Sequence, residues 1–198
     1  MNDGPLVVGR VLSSSTTGFA VGCRVLEPQV PVFGSFVKVQ AQDGAEVYGL
    51  IYDVRIDDDP FARQLVNVGE LSDEYVKDQR ENRQVPIEVS VLVVGFRRGE
   101  SVHHYLPAQP PLSLDAIYTC TNAEIVEFTR RFDYFQLVLD APHIPADETL
   151  AASLRMAAAA RDGAERGVQF LVEAGRELAR LLSYDLTRLD GILRRLRA

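Results

Sequence analysis

The chain has 198 residues, 46% of them hydrophobic and 25% charged, a balance ordinary for a globular protein of one large or two small domains and one that excludes wholesale disorder. Its 21 basic and 28 acidic side chains leave a formal charge of −7, which opposes binding of the whole molecule to nucleic acid or an anionic membrane. The charge is uneven, however: residues 1–149 carry 12 basic and 22 acidic side chains, whereas 150–198 carry 9 and 6.

In chain order, 6–12 reads as a strand that closes at the turn-forming cluster Ser13-Ser14-Ser15. The run 18–26 alternates Phe19, Val21, Cys23 and Val25 on one face, a second strand. Pro28 and Pro31 mark a loop, and Gly34 introduces Phe36-Val37-Lys38-Val39. Asp43-Gly44 is a hairpin signal. It leads into a strand with Tyr48, Leu50, Tyr52, Val54 and Ile56 on one face and Val47, Gly49 and Ile51 on the other. The polar stretch 57–84 is expected to be a long loop with a helical turn over 72–83. The run 87–96 is almost wholly apolar, as suits a strand covered on both faces. Strands at this spacing point to a small barrel or sandwich.

All ten prolines fall between Pro5 and Pro145, so helix-compatible sequence begins only after them. From about Asp147 the pattern is helical, with Leu150 and Leu154 on one face and Gly163 separating a first helix from a second. The expected class is α+β: a small closed or partly open β-barrel over 1–145, then two or three helices over 146–198. Val168, Val172, Gly175, Ala179, Leu182, Leu186, Leu189, Leu193 and Leu196 recur at steps of four and three, a heptad-like seam. If Asp185 caps a separate last helix, the seam breaks in two. Its leucines (Leu182, Leu186, Leu189, Leu193 and Leu196) are the candidate interface, either with the chain's own first helix or barrel or with another chain.

Chemistry-bearing motifs are sparse. There is no Gly-Lys dipeptide, hence no phosphate loop of the usual kind, and no Gly-x-Gly-x-x-Gly, Gly-x-Ser-x-Gly or His-Glu-x-x-His. Cys23 and Cys120 read as reduced core residues, which suits a cytosol. His103 and His104 are adjacent, so on a strand they point to opposite faces, and with His143 they are expected as exposed loop or edge residues. The run Asp57-Asp58-Asp59 reads as a solvated turn, with hard-cation ligands as its rival. Arg188, Arg194, Arg195 and Arg197 oppose the dipole of a last helix, and an anion contact is the alternative.

The segments Val8-Gly9-Arg10-Val11-Leu12-Ser13-Ser14-Ser15, Pro31-Val32-Phe33-Gly34-Ser35-Phe36-Val37-Lys38-Val39 and Val47-Tyr48-Gly49-Leu50-Ile51-Tyr52-Asp53-Val54 resemble the HAS barrel, the N-terminal barrel of HerA-type ATPases and rotary ATP synthase subunits. Val91-Leu92-Val93-Val94-Gly95-Phe96 and Glu124-Ile125-Val126-Glu127-Phe128 look like its closing strands and exit. The 70 residues after Phe128 read as helical, so the resemblance implies a stand-alone barrel without the ATPase core. In the relatives the barrel holds subunits in a ring or docks a nuclease. The expectation is therefore a non-catalytic assembly module, cytoplasmic, without cofactor or membrane span, and with a protein partner or a second copy. Nucleic-acid binding, through Arg97-Arg98, Arg130-Arg131 or the arginine-rich C-terminus, and a metal-dependent hydrolase using the aspartate run Asp57-Asp58-Asp59 are the rivals.

Overall fold

In the computed structural model, which describes residues 4–26, 31–56 and 84–197, the β-branched and aromatic runs form antiparallel strands. They are β1 (Val7–Ser14), β2 (Gly18–Leu26), β3 (Phe36–Gln40), β4 (Glu46–Ile56), β5 (Gln84–Arg98), β6 (Ser101–His103) and β7 (Ala116–Thr119). The order is β2-β1-β7-β3-β4-β5, and β2 also pairs with β5, so six strands close into a barrel. The short β6 adds to β5 outside that ring. Val11, Val21, Val37, Val47, Val89 and Ile117, one from each of the six strands, are fully buried in the interior. The aspartate run at 57–59 and the helical turn expected over 72–83 lie outside the described residues.

Helices follow: α1 (Asn122–Phe128), α2 (Tyr134–Leu139), α3 (Ala146–Ala159), α4 (Ala164–Leu181) and α5 (Leu186–Leu196). The architecture is thus α+β, a closed barrel followed by helices. A second core lies between them, because β3, β4 and β5 also turn Phe36, Tyr48, Leu50, Leu92 and Val94 outward. Phe128 of α1 stacks on Tyr48 with ring centroids 4.9 Å apart, and Tyr134 of α2 meets Phe36 edge-on at 6.5 Å. Burying an aromatic or large aliphatic side chain stabilises by about 1.5–3 kcal/mol, so this wall holds the helices firmly.

α3 is the hub, packing against β4 and all four other helices. Its alanines let neighbours approach, and its two buried hydroxyls turn inward: Thr149 Oγ1 donates to Pro145 O at 2.9 Å and Ser153 Oγ to Leu150 O at 2.9 Å. The loop before β3 reaches the same helix at Gly34, whose φ is +84°. A Cβ there would stand 2.5 Å from the Ala152 methyl carbon.

The structure sharpens three expectations. Residues 124–128, which the resemblance placed among the closing strands and exit of the barrel, form helix α1. Thr121 accepts from the Glu124 N–H while the Glu124 carboxylate accepts from the Thr121 N–H, a reciprocal cap that starts a helix. In β4, the pairing with β5 shifts register between Ile51 and Asp53. That shift moves Val54 onto the interior set and leaves Ile56 exposed, so the expected single face of five side chains ends at Tyr52. Of the two readings of the seam, the break holds: Asp185 accepts from Arg188 N at 3.0 Å and caps α5 separately. α4 buries Gly167, Phe170, Ala174 and Leu178, leaving Val168 and Val172 exposed.

Gly34→Ala is expected to cost at least about 2 kcal/mol, through a disfavoured positive φ and the clash with α3. Gly44→Ala, at a φ of +80° with no atom within 4 Å of the new Cβ, should cost only about 1 kcal/mol. Urea unfolding of both variants measures the difference, and equal losses would refute the packing role of Gly34.

Candidate functional site

Two clusters of polar side chains lie where the helices meet the barrel. In the first, Lys38 of β3 bridges Glu46 of β4, at 3.0 Å, and Glu124 of α1. Arg97 of β5 reaches the other Glu46 oxygen at 2.6 Å, where the Tyr48 hydroxyl also donates at 2.9 Å. Lys38 and both glutamates are only 14–16% exposed at the side chain. Burial raises the Glu124 pKa, but hydrogen bonds from Lys38 and Thr121 outweigh it and hold the carboxyl below its usual range. Burial likewise opposes the Lys38 charge, and its bonds to Glu124 and Glu46 overcome that and raise its pKa. Two cations face two carboxylates, so the cluster is balanced and ties α1 to the barrel. Cys120 lies beside it, and burial pushes its thiol well above the ordinary value, which keeps it protonated and unreactive.

The second cluster lines a cleft of about 360 Å³ between β5 and α2. Its walls are Leu92, Val93, Leu106, Leu137, Ala141 and Pro142, and its polar groups are Thr17, His104, Asp133, Gln136 and Asp140. The His104 side chain is 5% exposed, contrary to the expected exposed histidine, because its ring packs on Phe128 at 4.6 Å and Tyr134 at 5.3 Å. His104 Nε2 lies 3.0 Å from Phe128 O. A carbonyl only accepts, so Nε2 carries the proton and the neutral ring presents Nδ1 as an acceptor. Burial lowers the His104 pKa, against opposing pulls from Phe128 O and the Asp133 carboxylate. His103 instead lies on the other side, against Phe96 at 4.9 Å, and His143 is exposed.

The residues singled out in the sequence have other positions. Leu182 and Leu189 are buried in the chain's own second core, Leu193 and Leu196 pack against it, and Leu186 is 68% exposed. Arg188 bonds Asp147 at 2.8 Å and Arg195 bonds Glu148 at 2.5 Å, latching α5 onto the acidic first turn of α3. Arg194 pairs with Asp190 at 2.6 Å, and Arg197 is exposed. Among the described residues no three His, Cys, Asp or Glu side chains gather as a metal site, and no helix is long and apolar enough to cross a membrane. The cleft residues of α2 do carry a sequence signal: Asp133, Gln136, Leu137 and Asp140 are spaced to share one helical face. Neither protein-family models nor curated proteins match this chain.

Lys38→Met leaves the Glu124 carboxylate without its cation, while Glu46 keeps Arg97, and is expected to cost about 2–3 kcal/mol. The double variant Lys38→Met with Glu124→Gln should recover part of it. A double-mutant cycle by urea unfolding measures the coupling, and additive losses would contradict the cluster.

For His104, the folded pKa lies below the unfolded one, so its contribution to stability is full above the unfolded value of about 6.5 and is lost as pH falls below it. Stability should therefore drop between pH 7 and 5.5 in the wild type and drop less in His104→Phe, as thermal unfolding at the two pH values would register.

Proposed function

We propose that the chain is a non-catalytic assembly module whose barrel binds a protein surface, a second copy of itself or a subunit of a larger complex, through the outer side of β1 and β7. The observation that carries this reading is an apolar face left bare on the side of the barrel opposite the helical layer. Val7 of β1 pairs directly with Tyr118 of β7. Leu6, Val7 and Leu12 along β1, with Leu112 and Leu114 just before β7, are exposed at 44–69%, and Tyr118 at 37%. Leu114 is held against β1, its N–H donating to Val11 O at 2.8 Å and its carbonyl accepting from Arg10 at 2.8 Å. Exposed apolar side chains gathered on one side of the barrel, with Arg10 among them, favour an interaction surface.

The likeness of β1, β3 and β4 to the HAS barrel supports the same reading, since barrels of that type hold subunits together. The charge distribution favours a protein partner over nucleic acid. Of the eight arginines in the three basic groups, seven (Arg97, Arg98, Arg130, Arg131, Arg188, Arg194 and Arg195) face a carboxylate of the chain itself. Such pairs leave little positive potential for phosphates.

Sedimentation equilibrium and affinity capture of the wild type against Val7→Glu with Leu114→Glu test the proposal. Burying two new carboxylates should weaken association at least about tenfold. A wild type that stays monomeric at high concentration, and that captures the same proteins as the double variant, would sink it.

A further inference from the structure

We propose that Arg131 and protonated His104 compete for the Asp133 carboxylate, so that Asp133 pairs with Arg131 while the ring is neutral and turns to His104 when the ring gains a proton. Arg131 is then left as a free surface cation. The device is separate from the assembly surface on β1 and β7. It stands on three distances. His104 Nε2 lies 3.0 Å from Phe128 O, which fixes the ring and leaves Nδ1 one direction to face. Nδ1 lies 3.8 Å from Asp133 Oδ2, beyond hydrogen-bond reach. That same Oδ2 accepts from Arg131 at 2.6 Å. One carboxylate oxygen thus stands between two nitrogens, and only the guanidinium is close enough to hold it.

Asp133 is free to turn. It is the N-cap residue of α2, yet its side chain caps no backbone N–H, and it is 55% exposed. The other groups around the ring offer Nδ1 no nearer partner. From α1 comes the Phe128 carbonyl, already taken by Nε2–H. From α2 come Tyr134, whose hydroxyl burial keeps protonated, and Asp140, at the far end of the helix from Asp133. Thr17 and Gln136 in the same cleft are uncharged, and β5 presents Leu92 and Val93. Arg131 is the cation that acts on the ring, and it opposes a positive charge there. A proton taken from solvent onto Nδ1 turns a lone pair facing Asp133 into a donor. The resulting imidazolium, packed against Phe128 and Tyr134, needs a counter-charge. Asp133 supplies it by closing the remaining gap, which draws Oδ2 away from Arg131.

The test is a pH titration of the His104 imidazole by NMR on the full chain, in the wild type, Asp133→Asn, Arg131→Gln and the double variant. Both substituted side chains are more than half exposed, so the core is left intact. At neutral pH the wild-type ring should carry its proton on Nε2. Asp133→Asn is expected to weaken proton binding by about two- to fivefold, and Arg131→Gln to strengthen it by a similar factor, the scale of an exposed ion pair. That gain should vanish when Arg131→Gln is added to Asp133→Asn, because no carboxylate is then left to compete for. An equal gain in both backgrounds would mean plain repulsion between the two cations and would overturn the proposal. So would a neutral ring protonated on Nδ1, an unchanged midpoint in Asp133→Asn, or a ring that stays neutral until the chain unfolds. None of these outcomes bears on association through β1 and β7.

Discussion

Strands β3, β4 and β5 are apolar on both of their faces, and most of the remaining structure is a response to that. The inward face closes the barrel around valines and isoleucines. The outward face, with Phe36, Tyr48, Leu50, Leu92 and Val94, cannot be left in water without losing the stabilisation that burial supplies. A layer of helices covers it. The aromatic rings of α1 and α2 lie directly on the wall, and α3 backs them, close-packed through alanines and met from the loop side by Gly34. The helices are therefore a second wall of the fold, sharing its core.

This explains which parts of the architecture were legible in the sequence. Strands β1 to β5 were, because alternation and apolar runs respond to burial that each segment shows by itself; β6 and β7 are too short to show it. β2 has the expected bounds, and β5 extends the expected run at both ends. The doubly apolar 87–96 already implied a cover. What it did not name was the covering element. α1 and α2 are short and rich in aromatic and β-branched residues, which favour strands in isolation; tertiary packing overrides that preference. The Thr121–Glu124 cap was the available clue. The seam over 168–196 failed for a related reason. Leucines at steps of three and four fit several helical faces, and only the break at Asp185 and the position of α3 decide that Phe170, Ala174 and Leu178 point inward.

The polar residues follow the same division. Those at the seam between barrel and helices are paired with one another, as Lys38, Glu46, Glu124 and Arg97 are, or are neutralised by burial, as Cys120 and His104 are. Of the four basic C-terminal residues that looked available from sequence, Arg188 and Arg195 latch α5 to α3. Two features of the described residues stay uncovered: the apolar side of β1 and β7, and the carboxylate-rimmed cleft beside α2. The first was invisible in the sequence because exposed and buried valines in β1 are distinguished only by the closure of the barrel. The second depends on residues more than a hundred positions apart, Thr17 and Gln136 among them, brought together by β5 and α2.

The account rests on the helices being part of the barrel's own core, which leaves the β1 and β7 side uncovered. Native-state hydrogen exchange reads this directly, residue by residue. The prediction is that the slowest amides of α3 and those of β4 and β5 exchange with the same free energy and the same denaturant dependence, through one global opening. Exchange of α3 through a separate, lower-energy opening, with β4 and β5 still protected, would contradict it.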